Sequence, residues 1–179
     1  MTYGSNSPEV ITDYQKVYDI CLVLTSLRIA RKYHLSLEDG CDLLNSIVQY
    51  ESSGKIYVKN PNPDSSAHGM FQIVKGSSYY RQSWLDLPPS RSIVLQFDDM
   101  ARYCLKPGKY DQIHTDDPWL WLGTRHNTGI NASSHNTEYL SHLLRYKGHW
   151  AKNRTLSPLV ILTMPIWVTS AIAATARIR

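Results

Sequence analysis

An amphipathic segment over residues 36–54 is the feature that most constrains the fold of this chain. Its apolar side chains recur every three or four positions, which places them on one face of an α-helix. These side chains are Leu37, Cys41, Leu44 and Val48. Ser36 precedes two carboxylates, as is typical of a helix N-terminus, and Gly54 is suited to a C-terminal cap. The segment therefore predicts a helix that packs one face against a core.

Glu51 continues the same helical face, three residues after Val48. A carboxyl group on a buried face loses hydration when it ionises, which raises its pKa and keeps a proton available near neutral pH. Such a group can act as a general acid. The alternative is that Glu51 lies at a fraying helix end and reaches open solvent, and the periodicity does not separate the two.

The rest of the pattern is also mainly helical. Apolar spacing predicts a first helix within residues 10–33, and Pro, Gly and Asn divide the second half of the chain into shorter helices. The predicted pieces are 75–84, 89–105, 117–127 and 136–147. Residues 55–68 combine prolines, asparagines and serines, which favours a long loop with a small strand pair near 56–73. We expect one domain over residues 1–152.

Composition excludes several classes of partner and cofactor. A net charge of +4 without a long Lys/Arg run does not predict nucleic-acid binding, although it favours anionic polymers of the cell envelope. Three widely spaced cysteines predict free, buried thiols rather than a disulfide framework. The seven histidines lack the tight spacing of metal ligands. We therefore expect no metal and no other cofactor.

Three ordered sequence blocks carry a family resemblance. They are Tyr50-Glu51-Ser52-Ser53-Gly54, Ser66-Ala67-His68-Gly69-Met70-Phe71-Gln72-Ile73 and Arg125-His126-Asn127-Thr128-Gly129. In order, they resemble the Glu-Ser-x-x, Gly-Leu-Met-Gln-Ile and Ala-Tyr-Asn-Ala-Gly blocks of the SLT, or goose-type-lysozyme-like, lytic transglycosylases. Residues 137–140 are similar to the family's later Tyr-Val segment. The resemblance covers residues 35–147 and implies a lysozyme-like helical domain.

The resemblance implies an enzyme that cleaves peptidoglycan glycan strands. The bond is the β-1,4 link between N-acetylmuramic acid and N-acetylglucosamine, and the product carries a 1,6-anhydro end. Glu51 would be the catalytic acid and base. The implied substrate-binding residues are Ser66, Gly69, Met70, Gln72, Asn127 and Tyr139. Of these, Gln72 and Asn127 would hydrogen-bond the N-acetyl groups or the reacting ring, Tyr139 would orient Glu51, and Gly69 would let the backbone approach the sugar.

Ordinary packing offers other roles for part of this set. Met70 and Phe71 suit a core better than a sugar contact, and Gln72 could bridge backbone groups. The chain also departs from the family pattern, since His126 replaces the usual tyrosine and Thr128 replaces an alanine. Phe71 stands where the family motif runs directly from Met to Gln. We expect these departures to change sugar packing without removing the acid.

The C-terminal tail, residues 153–179, differs from the domain that precedes it. Residues 156–176 form a run of 21 residues without a charge, which is long enough to span a hydrocarbon core. Two prolines and several hydroxyl side chains lower its hydrophobicity, so a core or interfacial helix is the alternative. We favour membrane contact through a C-terminal hydrophobic helix. Basic residues before the run outnumber those after it, which would leave the domain on the cytoplasmic side.

The N-terminal residues bear on where the protein acts. Residues 1–9 are polar and charges interrupt the apolar stretch that follows, so we expect no secretory signal. A cytoplasmic domain without an export signal fits poorly with a periplasmic substrate. A phage virion protein, carried to the wall from outside for genome entry, resolves this conflict. The bacterial cell envelope is the alternative location, and other virion or envelope-complex proteins are the expected partners.

Two other functions stay open. A hydrolytic lysozyme, or endolysin, on the same fold would use water and leave reducing ends. A non-catalytic, membrane-anchored virion protein would keep a degenerate form of the domain. The presence of Glu51 together with Gly69, Gln72 and Asn127 favours an enzyme.

Overall fold

The described part of the chain is mainly α-helical, as predicted. The computed structural model describes residues 10–74, 82–108, 118–129, 131–134 and 136–148. Its α-helices are α1 (Gln15–Tyr33), α2 (Leu37–Ser52), α3 (Pro89–Leu105), α4 (Pro118–Thr128) and α5 (Thr137–Leu144). Short 3-10 helices cover Ile11–Tyr14 and Gln82–Asp86, and the strands are β1 (Ala67–His68) and β2 (Ile73–Val74).

Local capping chemistry sets the limits of α2. The Oγ atom of Ser36 accepts a hydrogen bond from the backbone N–H of Asp39 at 2.9 Å, which confirms the predicted N-cap. At the other end, Ser53 adopts φ 51° and is the C-cap of the helix, a position that was predicted for Gly54. Gly54 follows at φ 77° and packs against Ile11. The helix and its cap therefore end one residue earlier than expected, because Ser53 itself takes the left-handed conformation.

The core lies between α1, α2 and α3. Its fully buried apolar side chains include Tyr18, Leu22 and Ile29 of α1, Leu43, Leu44, Ile47 and Val48 of α2, and Ile93, Phe97 and Met100 of α3. The Phe97 ring contacts Tyr18 and Phe71 edge-on, with centroids 5.3 and 5.1 Å apart. Because Phe71 lies in the β1–β2 turn, this packing attaches the turn to the helical core. The predicted core role of Met70 and Phe71 is confirmed, since both are fully buried.

The two strands form the small antiparallel pair predicted near residues 56–73. Ala67 is opposite Val74, and His68 is opposite Ile73. Gln96 of α3 holds the turn between them: its Oε1 accepts the Met70 N–H at 2.7 Å, and its Nε2 donates to the Ile56 carbonyl at 3.0 Å. The turn is thereby tied to the helical core by a buried side chain as well as by Phe71.

Several predicted segments are shorter than expected or lie outside the described residues. Residues 82–86 form a 3-10 helix, whereas 75–81, the remainder of the predicted helix 75–84, fall outside the described ranges. The domain boundary at residue 152, the tail 153–179 and its hydrophobic helix also fall outside them. Within the described ranges, no helix has the length and hydropathy to cross a membrane.

The three cysteines are free and buried, as predicted. Burial raises the pKa of Cys21 to about 12 and that of Cys41 to about 11. A thiol that stays protonated is a poor nucleophile and a poor metal ligand. These side chains therefore act as core residues.

Candidate active site

Glu51 lies in the last turn of α2, on the face that carries the core residues. Its side chain retains 17% of its full exposure, so it is neither enclosed in the core nor open to bulk solvent. The helical stripe of Leu44 and Val48 leads directly to it. The placement agrees with the predicted half-buried carboxyl group, and the alternative of an open, fraying helix end is wrong.

Two side chains from other helices converge on one oxygen of Glu51. The hydroxyl of Tyr139, in α5, donates a hydrogen bond to Oε1 at 2.7 Å. The Nε2 atom of His126, in α4, lies 3.5 Å from the same oxygen. Tyr139 is 4% exposed, and the His126 side chain is 7% exposed. Among the residues that the structure describes, none forms a hydrogen bond with Oε2.

The electrostatic surroundings of Glu51 differ from those expected. Burial is the largest single influence and raises the pKa of Glu51, but the hydrogen bond and charge of His126 and the hydrogen bond of Tyr139 together outweigh it. The pKa of Glu51 therefore lies below its ordinary value, and the prediction of a raised pKa is wrong. Burial and the neighbouring Glu51 carboxylate raise the pKa of Tyr139, so its hydroxyl remains a donor.

Asn136 links the two helices that carry these donors. It is the N-cap of α5, where its Oδ1 accepts the backbone N–H of Tyr139 at 3.1 Å. Its Nδ2 donates to Oδ1 of Asn127, at the end of α4, at 2.5 Å. One side chain thus fixes the start of α5 and the end of α4 relative to each other. Asn136 was not among the predicted site residues, although an asparagine just before Thr137-Glu138 is a recognisable capping signal.

Arg125 anchors α4 from the opposite side. It is 1% exposed, and its guanidinium donates to the Tyr33 hydroxyl at 2.8 Å and to the Lys106 carbonyl at 2.6 Å. The Tyr103 hydroxyl in turn donates to the Arg125 carbonyl. A buried arginine needs such partners, because an unpaired charge in the interior is costly. Arg125 belongs to the third sequence block, but that block does not indicate its hydrogen-bond partners on α1 and α3.

Aromatic rings form the outer side of the site. Tyr50 precedes Glu51 and contacts the Tyr139 ring edge-on at a centroid distance of 5.2 Å. The same Tyr50 ring stacks on His142 at 5.1 Å with an interplanar angle of 18°. Tyr50 remains 38% exposed. The α2–α5 contact beside the carboxyl group is therefore built largely from rings.

The predicted site residues fall into two groups. Tyr139 contacts Glu51 directly, and exposed Asn127 is connected to Tyr139 through Asn136. By contrast, no described hydrogen bond joins Glu51 to Ser66 or to the turn at residues 69–72. Ser66 is partly exposed, and its carbonyl lies 2.5 Å from Nδ1 of His68.

Gly69, Met70 and Gln72 form the turn between the strands, and their described contacts are internal. A Cβ on Gly69 would lie 2.3 Å from Gln96 Oε1 and 2.7 Å from the Trp84 ring, so this glycine permits packing against buried side chains. The Nε2 atom of Gln72 donates to the carbonyls of Val58 and Gly69 at 3.2 and 3.0 Å, as in the predicted bridging role. Its buried Oε1 has no hydrogen-bond partner within the described part of the chain.

The chain matches no family model, no curated protein and no solved structure. Within the described ranges, no group of three His, Cys, Asp or Glu side chains is arranged to hold a metal ion. The chemistry that can be assigned from the site is therefore that of a single carboxyl group with two hydrogen-bond donors.

Proposed function

We propose that this protein is a lytic transglycosylase with a lysozyme-like domain, and that Glu51 is its catalytic acid and base. The observation that carries the proposal is the state of the Glu51 carboxyl group. Oε1 is held by Tyr139 and His126, whereas no described residue bonds Oε2. An acid that must exchange protons with a substrate needs one oxygen that is fixed and one that is accessible. The three sequence blocks, which resemble those of the SLT family, support the same assignment.

The proposed reaction uses the one carboxyl group twice. Glu51 first gives its proton to the glycosidic oxygen, and the bond from that oxygen to the muramic C1 breaks. The resulting carboxylate then takes the proton of the muramic 6-hydroxyl as its oxygen bonds to C1. Water is not consumed, and Glu51 ends the cycle protonated as it began. The acetamido group of the substrate would stabilise the positive centre, as in other exceptions to the two-carboxylate scheme.

The lowered pKa of Glu51 affects the first step. In the absence of substrate, the carboxylate is favoured and the acid form becomes abundant only at acidic pH. A bound glycan strand would displace water from Oε2, which penalises the charged form and favours protonation. After proton transfer, the donors on Oε1 would stabilise the new carboxylate. The two donors would thus assist the step in which Glu51 gives up its proton.

The proposed substrate contacts follow from exposure and hydrogen-bonding capacity. Asn127 is exposed beside the site, and Ser66 is partly exposed in the loop before β1. Gln72 has a free acceptor for a sugar hydroxyl or N-acetyl N–H, provided that the turn opens slightly. Gly69 and Met70 would shape the turn that carries Gln72.

The test compares Glu51→Gln with Glu38→Gln. Both residues lie on α2, but Glu38 is exposed in the first turn, about 20 Å away along the helix axis. We expect Glu51→Gln to abolish clearing of purified sacculi because an amide cannot deliver the proton, and Glu38→Gln to keep it. Circular dichroism would verify that both variants are folded. A Glu51→Gln protein with most of the wild-type activity would exclude Glu51 as the acid.

Mass spectrometry of the products separates the transglycosylase from a hydrolytic lysozyme. Anhydromuramic ends support the proposed ring closure, whereas reducing ends indicate attack by water. A blank zymogram for the wild-type protein would instead favour the non-catalytic virion protein.

The proposed setting is a phage virion, where the enzyme would open the wall locally during genome entry. The uncharged run 156–176 motivates this setting. Detection of the protein in purified virions would support it. Detection only in host envelopes would favour an envelope complex.

A further inference from the structure

His126 is the neighbour of Glu51 at which this chain departs from the family that it resembles. It stands where the lytic transglycosylases that the chain resembles carry a tyrosine. Its Nε2 lies 3.5 Å from Glu51 Oε1, and its side chain is almost fully buried at 7% exposure. A tyrosine in this position would offer a neutral donor, whereas a histidine offers a donor whose charge depends on pH.

The groups that surround His126 come from four helices. Glu51 approaches from α2, and the Tyr103 and Tyr139 rings approach from α3 and α5, each with its centroid 6.4 Å from the imidazole. On α4 itself, the Arg125 guanidinium is directed to Tyr33 and to the Lys106 carbonyl. In the described part of the chain, Glu51 is the one charged side chain that contacts the imidazole.

We propose that His126 is a positioning residue of this site, which holds Oε1 of Glu51 from α4 while Tyr139 holds it from α5, and which couples the charge of the acid to its own. This inference rests on the proposed function, since it concerns how Glu51 works as an acid. Tyr139 donates a hydrogen bond to Oε1 and the imidazole lies 3.5 Å from the same oxygen, which leaves the transferable proton to Oε2. His126 itself neither gains nor loses a proton in the reaction.

The coupling has a definite direction. A protonated imidazole beside Glu51 favours the carboxylate, and so the acid form is confined to lower pH. Replacing His126 by a neutral donor would remove the charge beside Oε1. The acid form would then persist to higher pH, and the alkaline limb of the activity profile would move with it. If His126 only filled space, its replacement would leave the alkaline limb of the activity profile at the same pH.

The first experiment measures initial rates of sacculus clearing against pH at low sacculus concentration. His126→Gln keeps an N–H donor, and His126→Tyr places the residue of the resembling family at this position. His142→Gln is the matched control, because His142 stacks on Tyr50 and does not contact Glu51. We expect both His126 variants to shift the alkaline limb to higher pH and the control to leave it unchanged. A lower rate at every pH with an unmoved limb would overturn the proposal.

A second readout does not depend on activity. Carbon-13 NMR of the Glu51 carboxyl carbon reports its titration midpoint, which we expect to rise in His126→Gln and in His126→Tyr. An unmoved midpoint in either folded variant would refute the coupling, even if the wild-type protein clears sacculi. A shifted midpoint in a protein that leaves sacculi intact would keep the coupling and reject the transglycosylase. The two failures can therefore be distinguished.

Discussion

Substitution of Gly69 by alanine tests why the β1–β2 turn has a glycine at this position. Gly69 adopts φ +77°, and an added Cβ would lie 2.3 Å from Gln96 Oε1 and 2.7 Å from the Trp84 ring. Gln96 is 1% exposed and Trp84 is fully buried, so neither can move away into solvent. Gln96 also accepts the Met70 N–H at 2.7 Å, and a displaced Gln96 would lose that bond.

The expected loss of stability has two parts. The left-handed backbone costs an alanine about 1–2 kcal/mol. Crowding of a packed interior costs about 1–3 kcal/mol. Gly69→Ala should therefore lower the free energy of unfolding by about 2–5 kcal/mol, which is a large share of the stability of an ordinary domain.

Gly148→Ala is the matched control, because it measures the cost of the left-handed backbone without the cost of crowding. Gly148 has nearly the same φ, +79°, and nothing lies within 4 Å of an added Cβ. Urea titrations of both variants, analysed at equal m-values, would give the crowding cost as the difference between them. Equal losses would refute the packing argument. A Gly69→Ala protein that is as stable as the control but inactive on sacculi would instead mean that Gly69 lets the backbone approach the sugar.

Two further predictions concern Glu51 and its supports. Asn136→Ala removes the cap of α5 and the link to Asn127, so thermal unfolding should reveal a loss of about 1 kcal/mol; an unchanged melting temperature would show that the cap is not needed. Because the pKa of Glu51 is lowered in the folded protein, its ionised form stabilises the fold above the ordinary carboxyl pKa, and this contribution is lost as the pH falls through the folded pKa. The difference in unfolding free energy between the wild type and Glu51→Gln should therefore shrink on acidification, and a difference independent of pH would contradict the lowered pKa.

Local patterns predicted that Glu51 continues the buried face of α2, but they did not decide whether its side chain reaches open solvent. The stripe that runs through Leu44 and Val48 repeats at the helical period, and α2 keeps that period to its last turn. Ser36 was likewise predicted as the N-cap, since its hydroxyl bonds a backbone group only three residues away. Such features depend on neighbours in the chain and require no knowledge of the tertiary fold.

The direction of the Glu51 pKa shift could not be predicted in this way. Periodicity on α2 places the carboxyl group on the face that carries the core residues, but the donors that outweigh desolvation come from α4 and α5. Tyr139 lies 88 residues further along the chain. The family resemblance did predict that Tyr139 orients Glu51, but it gave no guidance for His126, which stands where the family carries a tyrosine.

The internal packing of Gly69 could not be predicted from the sequence for a similar reason. A glycine in a turn is compatible with an approaching ligand or with a packed neighbour, and both require the absence of a side chain. The neighbours, Gln96 and Trp84, belong to segments that no local pattern connects with Gly69. The packed neighbours became visible only with the packing of α3 and the 3-10 helix against the turn.

If the proposed function holds, the buried guanidinium of Arg125 links thermal stability to turnover at the third sequence block. It bonds Tyr33 of α1 and the carbonyl just after α3, and the next residue along the chain is His126. Any substitution that loosens this anchor would shift α4 and move the imidazole relative to Glu51. Selection for heat resistance and selection for faster cleavage would thus act on the same side chain, and neither property could be adjusted there without the other.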